Sequence, residues 1–384
     1  MVTTPPPSAD EVAQVARPHG SMRDPATLQA GLQAWLTDRL PNGADPIVDH
    51  LVPPTGNGLS SETVLFDATW TESGQRGAHE LVARVAPMVD SMPVFARYDM
   101  RAQFETMRVV HEFTDVPVPM PYWPEDDPSV LGAPFFVMQR VDGLVPPDVL
   151  PYNWDSWVTQ ADARDRERLE RSTVEVLAML HALPDPGSHL PILGEPGDDA
   201  GAAMRTHIAG QRAYYEWAAL GGPRSPLLEA CLSYFETHPP VDPALAVLCW
   251  GDSRIGNIIY RDFRPVAVLD WEMACFGPPE LDLGWLIFMH EFFQDIAANA
   301  GLDGLPDLLR RDAVAQAYTD SGGRSIGELD YYIFYAALRH AIIMFRIQSR
   351  AIAFGTATAP DEPDDMILHR KMLERMLATK ETET

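Results

Sequence analysis

The stretch LCWGDSRIGNIIYRDFRPVAVLDWE, Leu248 to Glu272, sets two aspartates and an asparagine among apolar residues. Burying Asp252, Asn257 and Asp270 costs free energy unless each finds a partner. Either the three satisfy one another and cap turns, or they hold something the chain does not contain. Asn257 lies five positions after Asp252, and Asp270 thirteen after Asn257, with Arg254 between the first two. The intervening IIYRDFRPVAVL has strand, turn and strand composition, with the turn at Arg261 to Pro265. A hairpin of that length returns Asp270 to the side of Asn257 at its open end.

One amide oxygen and one carboxylate converging there form a hard oxygen site suited to Mg²⁺, which takes few protein ligands plus substrate phosphates. Asp252, one turn of loop upstream, is placed to accept a proton from a hydroxyl nucleophile. Arg254 is placed to neutralise charge on a transferring phosphoryl group. A base, metal ligands and a cation are the parts that phosphoryl transfer needs.

Upstream of this stretch the chain is rich in strands. DPATLQAGLQAWLTDRLP reads as a helix capped by Asp24, with Pro25 in its first turn and Leu28, Leu32, Trp35, Leu36 and Leu40 on one face. PIVDHLV, ETVLFDATW and ELVARVA read as strands, the second with Val64, Phe66, Ala68 and Trp70 alternating. MRAQFETMRVVHEF returns to helical spacing, and APFFVMQRVDG is a further strand ending at a candidate hinge glycine. Beyond about residue 142 the character is helical, with RLERSTVEVLAMLHALP, AAMRTHIAGQRAYYEWAALG and PLLEACLSYFETH before the opening stretch. Helices are expected at about 281–299, 306–319, 328–349 and 366–378 after it. This order gives an α+β pattern, without the alternating βαβ units of a Rossmann sheet.

Composition narrows the partners. At 384 residues the chain exceeds one small core, so two lobes are expected. A formal net charge of −26 argues against nucleic acid and against anionic membrane. It is compatible with a cationic substrate, and equally with solubility alone. MVTTPPPSADEVAQ lacks a basic start and an apolar segment, and YYIFYAALRHAIIMF is interrupted by Arg339 and His340, so a cytoplasmic location is expected. Cys231, Cys249 and Cys275 show no metal-ligand spacing and read as reduced core residues.

With these landmarks in order, the opening stretch resembles the catalytic segment of the protein-kinase-like small-molecule phosphotransferases, the aminoglycoside phosphotransferase and choline kinase group. Their pattern is His-Gly-Asp, four residues, Asn, then Asp-Trp or Asp-Phe after the next strand. GNGLSSETVLFDATW resembles the loop and strand over the nucleotide, and LVARVAP the strand with a phosphate-contacting basic residue. QFETMRVV supplies a helical glutamate, and LAMLHALP resembles the helix before the catalytic loop. LVARVAP, DVPVP and PFFVM look most like candidate aminoglycoside phosphotransferases of actinobacteria and the phosphotransferase domain of some acyl-CoA dehydrogenases.

The resemblance implies a two-lobed, protein-kinase-like α+β fold: a flexible tail at 1–23, a nucleotide-binding N-lobe with a small antiparallel sheet at 24–142, and a larger helical C-lobe at 143–384. It implies an enzyme moving the γ-phosphoryl group of ATP (or GTP) to a hydroxyl of a small molecule, an aminoglycoside-like compound or another hydroxylated metabolite. Asp252 would be the base, Arg254 would steady the transferring group, and Asn257 with Asp270 would hold Mg²⁺. Ser60, Ser61, Arg84 and Glu105 would serve the nucleotide, Arg84 pairing with Glu105, while the backbone of Gln139 to Val141 meets the purine.

Plainer readings stand beside these roles. Arg84 also fits an exposed strand position, Glu105 a solvated helix charge, and Ser60–Ser61 an ordinary turn. His181 fits a core histidine, and Asp282 a helix cap or a brace for the catalytic loop. Arg339 and His340 fit a buried helix paired with an acidic neighbour, and the aromatics of YYEW and WLIFMH fit the core. Trp250 replaces the family's histidine and Arg84 its lysine. Those departures leave open a nucleotide-binding regulatory protein with little turnover, and a kinase of hydroxyacyl thioesters is a further alternative.

Overall fold

Strands β2 (Glu62–Glu72) and β3 (Gln75–Val85) pair antiparallel along their whole length. Ser73 and Gly74 join them in two residues, with φ of 52° and 79°. Two left-handed residues give a turn whose twist matches that of the strands it connects. On β2 the alternating Val64, Phe66, Ala68 and Trp70 are buried, as a half-buried strand requires. The computed structural model describes residues 23–52, 61–87 and 92–383. The expected tail and the loop GNGLSSET up to Ser60 lie outside these residues.

Strands β1 (Ile47–Val52), β4 (Pro121–Glu125) and β5 (Phe135–Gln139) complete an antiparallel sheet of order β1-β2-β3-β5-β4. β4, with Pro121 and Pro124, escaped the sequence reading because proline cannot donate to a ladder. It lies at the sheet edge, where that loss is tolerated. Helix α1 (Pro25–Arg39) is capped by Asp24, whose carboxylate accepts the Thr27 N–H. Helix α2 (Met100–Phe113) packs on β4 and β5.

Helices follow: α3 (Ala163–His181), α4 (Ala200–Ala218) and α5 (Pro226–Thr237). Short strands β6 (Val247–Cys249), β7 (Ile258–Arg261), β8 (Arg264–Val268) and β9 (Cys275–Gly277) form two pairs, β6 with β9 and β7 with β8. Helices α6 (Glu280–Asn299), α7 (Arg311–Asp320), α8 (Leu329–Ala353) and α9 (Arg370–Glu383) complete the order. α7 begins later than the expected 306. The Leu309 N–H instead bonds to the Glu170 carboxylate of α3, which competes with helix formation. α6 and α8 pack closely because Gly284 has no side chain: a Cβ there would lie 2.7 Å from the Tyr332 backbone.

The candidate hinge glycine, Gly143, is firmly seated. A Cβ on it would lie 2.6 Å from the Tyr260 carbonyl, and the next residue, Leu144, exchanges two backbone hydrogen bonds with Tyr260. The segment leaving the sheet is therefore pinned to β7, directly behind the Asp252–Asp270 stretch. No helix among the described residues is long and apolar enough to cross a membrane.

Candidate active site

The β7–β8 hairpin turns through Asp262 and Phe263, both left-handed with φ of 51° and 58°. At its open end the Leu269 N–H donates to the Asn257 carbonyl at 2.9 Å. Asp270 follows immediately, itself left-handed at φ 61°. Non-glycine residues take that conformation at a cost, and aspartate tolerates it better than most. Asn257 and Asp270 thus sit at one end of one hairpin.

Upstream, the loop carrying Asp252 is held from below by Asp282 on α6. The fully buried Asp282 carboxylate accepts the backbone N–H groups of Trp250 at 2.7 Å and Gly251 at 2.8 Å, and lies 3.1 Å from His181 Nε2. The Ser253 hydroxyl donates to the Asp282 carbonyl. Of the two readings of Asp282, the brace is the one seen. His181, with Tyr318 on its other nitrogen, is a satisfied core histidine. Gly251 is required here: its φ is 90°, and a Cβ would lie 2.0 Å from the Met273 carbonyl. Trp250, in place of the family's histidine, is buried and donates its indole N–H to the carbonyls of Leu269 and Asp270. It therefore links the Asp252 loop to the Asp270 segment.

Three donors surround the Asp252 carboxylate. Trp285 Nε1 lies 2.7 Å from Oδ1, Asn257 Nδ2 lies 2.6 Å from Oδ2, and Arg254 Nε lies 3.2 Å from both. An ionised carboxylate only accepts, so the Asn257 amide nitrogen must face it. The amide oxygen is then turned away, and among the described residues it has no partner. Asp270 receives Arg84 Nη2 on Oδ1 at 3.1 Å, and its Oδ2 has no partner among the described residues. An amide oxygen and a carboxylate oxygen left open on two segments joined by the Leu269–Asn257 backbone bond are hard donors of the kind Mg²⁺ takes, so the residues present fit that ion.

The family model described as the phosphotransferase enzyme family matches residues 58–314. The chain belongs to this phosphotransferase family. Among curated proteins it resembles acyl-CoA dehydrogenase family member 11 of Rattus norvegicus, 26% identical over 66% of the chain and 30% of that protein. The chain thus spans about a third of that relative's length. Among solved structures it resembles a candidate aminoglycoside phosphotransferase of Ralstonia eutropha, with TM-score 0.60 and 22% identity over 91% of this chain and 95% of that one. A thermostable mutant of aminoglycoside phosphotransferase APH(4)-Ia, in ternary complex with AMP-PNP and hygromycin B, gives TM-score 0.51 and 14% identity, covering 91% and 98%. The fold is the expected two-lobed, protein-kinase-like α+β fold.

Several contacts of this phosphotransferase-family chain depart from expectation. Arg84 reaches across from β3 to Asp270, and it does not meet Glu105. Glu105 pairs with Arg108 at 2.8 Å and Arg101 at 3.8 Å, three and four residues away on its own helix, where such neighbours share a face. The expected Arg84–Glu105 pair is therefore replaced by ion pairs within the Glu105 helix. Arg254 is held between two carboxylates, Asp252 and Asp148, the latter 2.6 Å from Nη1. Burial alone would lower its pKa, but Asp148 and Asp252 together raise it. Ser60 lies outside the described residues. Ser61 is buried, and its hydroxyl has no partner among the described residues. Gln139 is exposed and its N–H donates to the Met120 carbonyl, while Val141 makes no backbone–backbone bond among the described residues.

The sequence reading missed Trp285 and Asp148, and it misplaced Arg339. Trp285 follows Asp282 by three residues on α6, so both face the Asp252 loop, and that spacing was a usable signal. Asp148 lies in an irregular segment with no periodicity to expose it. Buried Arg339 meets no carboxylate at ion-pair distance among the described residues. It stacks 4.6 Å over the Trp285 ring and donates to the Gly251 carbonyl at 3.1 Å.

Proposed function

We propose that the chain transfers the γ-phosphoryl group of ATP or GTP to a hydroxyl of a small molecule, with Asp252 as the base. The observation that supports this reading is the Asn257 amide, which bonds Asp252 through nitrogen and so leaves its oxygen free at the hairpin end from which Asp270 follows. One side chain thereby orients the base and offers a ligand for Mg²⁺. A carboxylate has about four lone-pair positions; Trp285 and Asn257 take one on each oxygen, and Arg254 Nε bridges both. An acceptor hydroxyl would displace Arg254 from one oxygen. As its oxygen forms a bond to the γ-phosphorus, the nucleoside diphosphate leaves and the proton passes to Asp252.

Asn257 and Asp270 would hold Mg²⁺, which when bound neutralises phosphate charge. Arg84 is the cation nearest that position on the sheet and would turn from Asp270 to the nucleotide phosphates. Arg254, matched by Asp148 and Asp252, acts first as an orienting group for the base. Contact with the phosphoryl group would require it to leave Asp148. The segment Gln139 to Val141, with Val141 unbonded, is the edge that would meet the purine.

Two acceptor classes have separate support. Likeness in fold to APH(4)-Ia favours an aminoglycoside-like polyol. Sequence likeness to acyl-CoA dehydrogenase family member 11 favours a hydroxyacyl thioester. Incubation with γ-labelled ATP and Mg²⁺, with each class offered in turn, tests the reading through label recovered in the acceptor. Transfer to either class supports the reading and identifies the acceptor. Nucleotide binding without label transfer to any hydroxyl compound would favour the low-turnover regulatory protein instead.

A further inference from the structure

Cys249 and Cys275 face each other directly across the β6–β9 pair, the last register position of that ladder. Side chains opposite one another on antiparallel strands project from the same face, with Cβ atoms about 4.5–5.5 Å apart. A disulfide needs about 3.5–4.5 Å, so closure asks for roughly an ångström of strand movement. The Cys249 thiol lies 3.5 Å from the Pro278 carbonyl, so a rotation of its side chain would have to bring the two sulfurs together. Nothing in the proposed phosphoryl transfer uses either thiol.

The surroundings treat the two sulfurs differently. Cys249 is fully buried, and burial together with the Cys275 thiol opposite it pushes its pKa up. Cys275 is only half-buried. The Cys249 thiol opposite it, and then the neighbouring His207 and Arg339, push its pKa below the ordinary thiol range. His207 on α4 has Nδ1 against the Tyr335 hydroxyl at 2.7 Å, which leaves Nε2 for the sulfur. Among the described residues, Arg339 Nε and Nη1 are buried without hydrogen-bond partners. A buried cation short of partners is costly and favours a nearby anion. A half-buried thiol with a lowered pKa and a second thiol opposite it is the arrangement of a redox-sensitive pair. Cys231, fully buried in the core, has a pKa raised by burial and no such setting.

We propose that Cys249 and Cys275 form a peroxide-sensitive thiol pair, closing to a disulfide that ties the strand leading into Asp252 to the strand following Asp270. The Cys275 thiolate attacks one oxygen of hydrogen peroxide, the O–O bond breaks, and a sulfenic acid and hydroxide result, the hydroxide taking up a proton as water. The Cys249 sulfur then attacks the sulfenic sulfur, its own proton leaving with the displaced hydroxyl as a second water. Two thiols and one peroxide thus give one disulfide and two waters. The pair needs no nucleotide or acceptor, so it stands independently of the phosphotransferase reading.

The test uses the full-length, fully reduced native protein, treated with graded hydrogen peroxide, then alkylated and analysed by intact and peptide mass spectrometry. The expected result is a loss of two hydrogens at low dose, a peptide joining Cys249 to Cys275, Cys231 still alkylated, and full reversal by dithiothreitol. In Cys249→Ser the expected product is a Cys275 sulfenic acid captured by dimedone. The proposal is overturned if native wild-type protein keeps all three thiols alkylatable, or if Cys275 oxidises to sulfinic or sulfonic acid with no Cys249 cross-link.

Discussion

Trp285 decides how Asp252 is aimed. Its indole N–H occupies Oδ1 at 2.7 Å, so the carboxylate is fixed by a rigid helix side chain as well as by its own loop. Trp285→Phe keeps the ring under Arg339 and removes only the donor. A hydrogen bond to a charged group contributes about 1.5–3 kcal/mol, so kcat for phosphoryl transfer should fall roughly tenfold or more, with little change in the nucleotide KM. An equal rise in nucleotide KM would place Trp285 in binding instead. Arg84 belongs at this scale too. Arg84→Gln removes the contact to Asp270 and the cation offered to phosphate, and nucleotide affinity should fall about tenfold in calorimetric titration. Unchanged affinity would return Arg84 to a purely structural role joining sheet and hairpin.

At the scale of elements, the Asp252 loop depends on a close approach that only glycine permits. Gly251→Ala adds a left-handed penalty of about 1–2 kcal/mol to a collision with the Met273 carbonyl at 2.0 Å. The variant should melt several degrees lower and lose turnover, because the shifted loop no longer presents its N–H to Asp282. Retained stability and turnover would show that the loop can reorganise around a methyl group.

The same element explains what the sequence disclosed and what it hid. The approach of the Asn257 and Asp270 segments was legible because a hairpin converts linear spacing into proximity. The strands of the sheet were legible by alternation. The partner of Arg84 was not, because Glu105 and Asp270 are both acidic and only the packing of sheet on hairpin selects between them. β4 was hidden by its prolines, and the β6–β9 pairing by strands of three residues each, too short to carry a period.

Across the whole molecule, buried histidines should contribute to the response to acid. Burial lowers the pKa of His290 and of His369 to about 4, from 6.5. Between those values the unfolded chain binds protons that the folded chain refuses, so stability rises with pH through that window and is lost as pH falls from about 6.5 towards 4. The melting temperature should therefore drop steadily across that range, with up to roughly 3 kcal/mol carried by each histidine. His369→Gln should flatten part of the decline in pH-dependent denaturation. A profile that stays as steep would assign the acid sensitivity to other groups.

The long-range contact Arg84–Asp270 also belongs to the whole molecule, since it carries the sheet to the hairpin where phosphate and metal would lie. The proposed transfer turns on one carboxylate, Asp252, and its replacement tests the account most directly. Nucleotide turnover and calorimetric nucleotide binding should be measured in parallel on wild type and Asp252→Asn. The account predicts a loss of turnover of a hundredfold order or more, with nucleotide affinity close to wild type. Turnover at the wild-type rate in Asp252→Asn would contradict it.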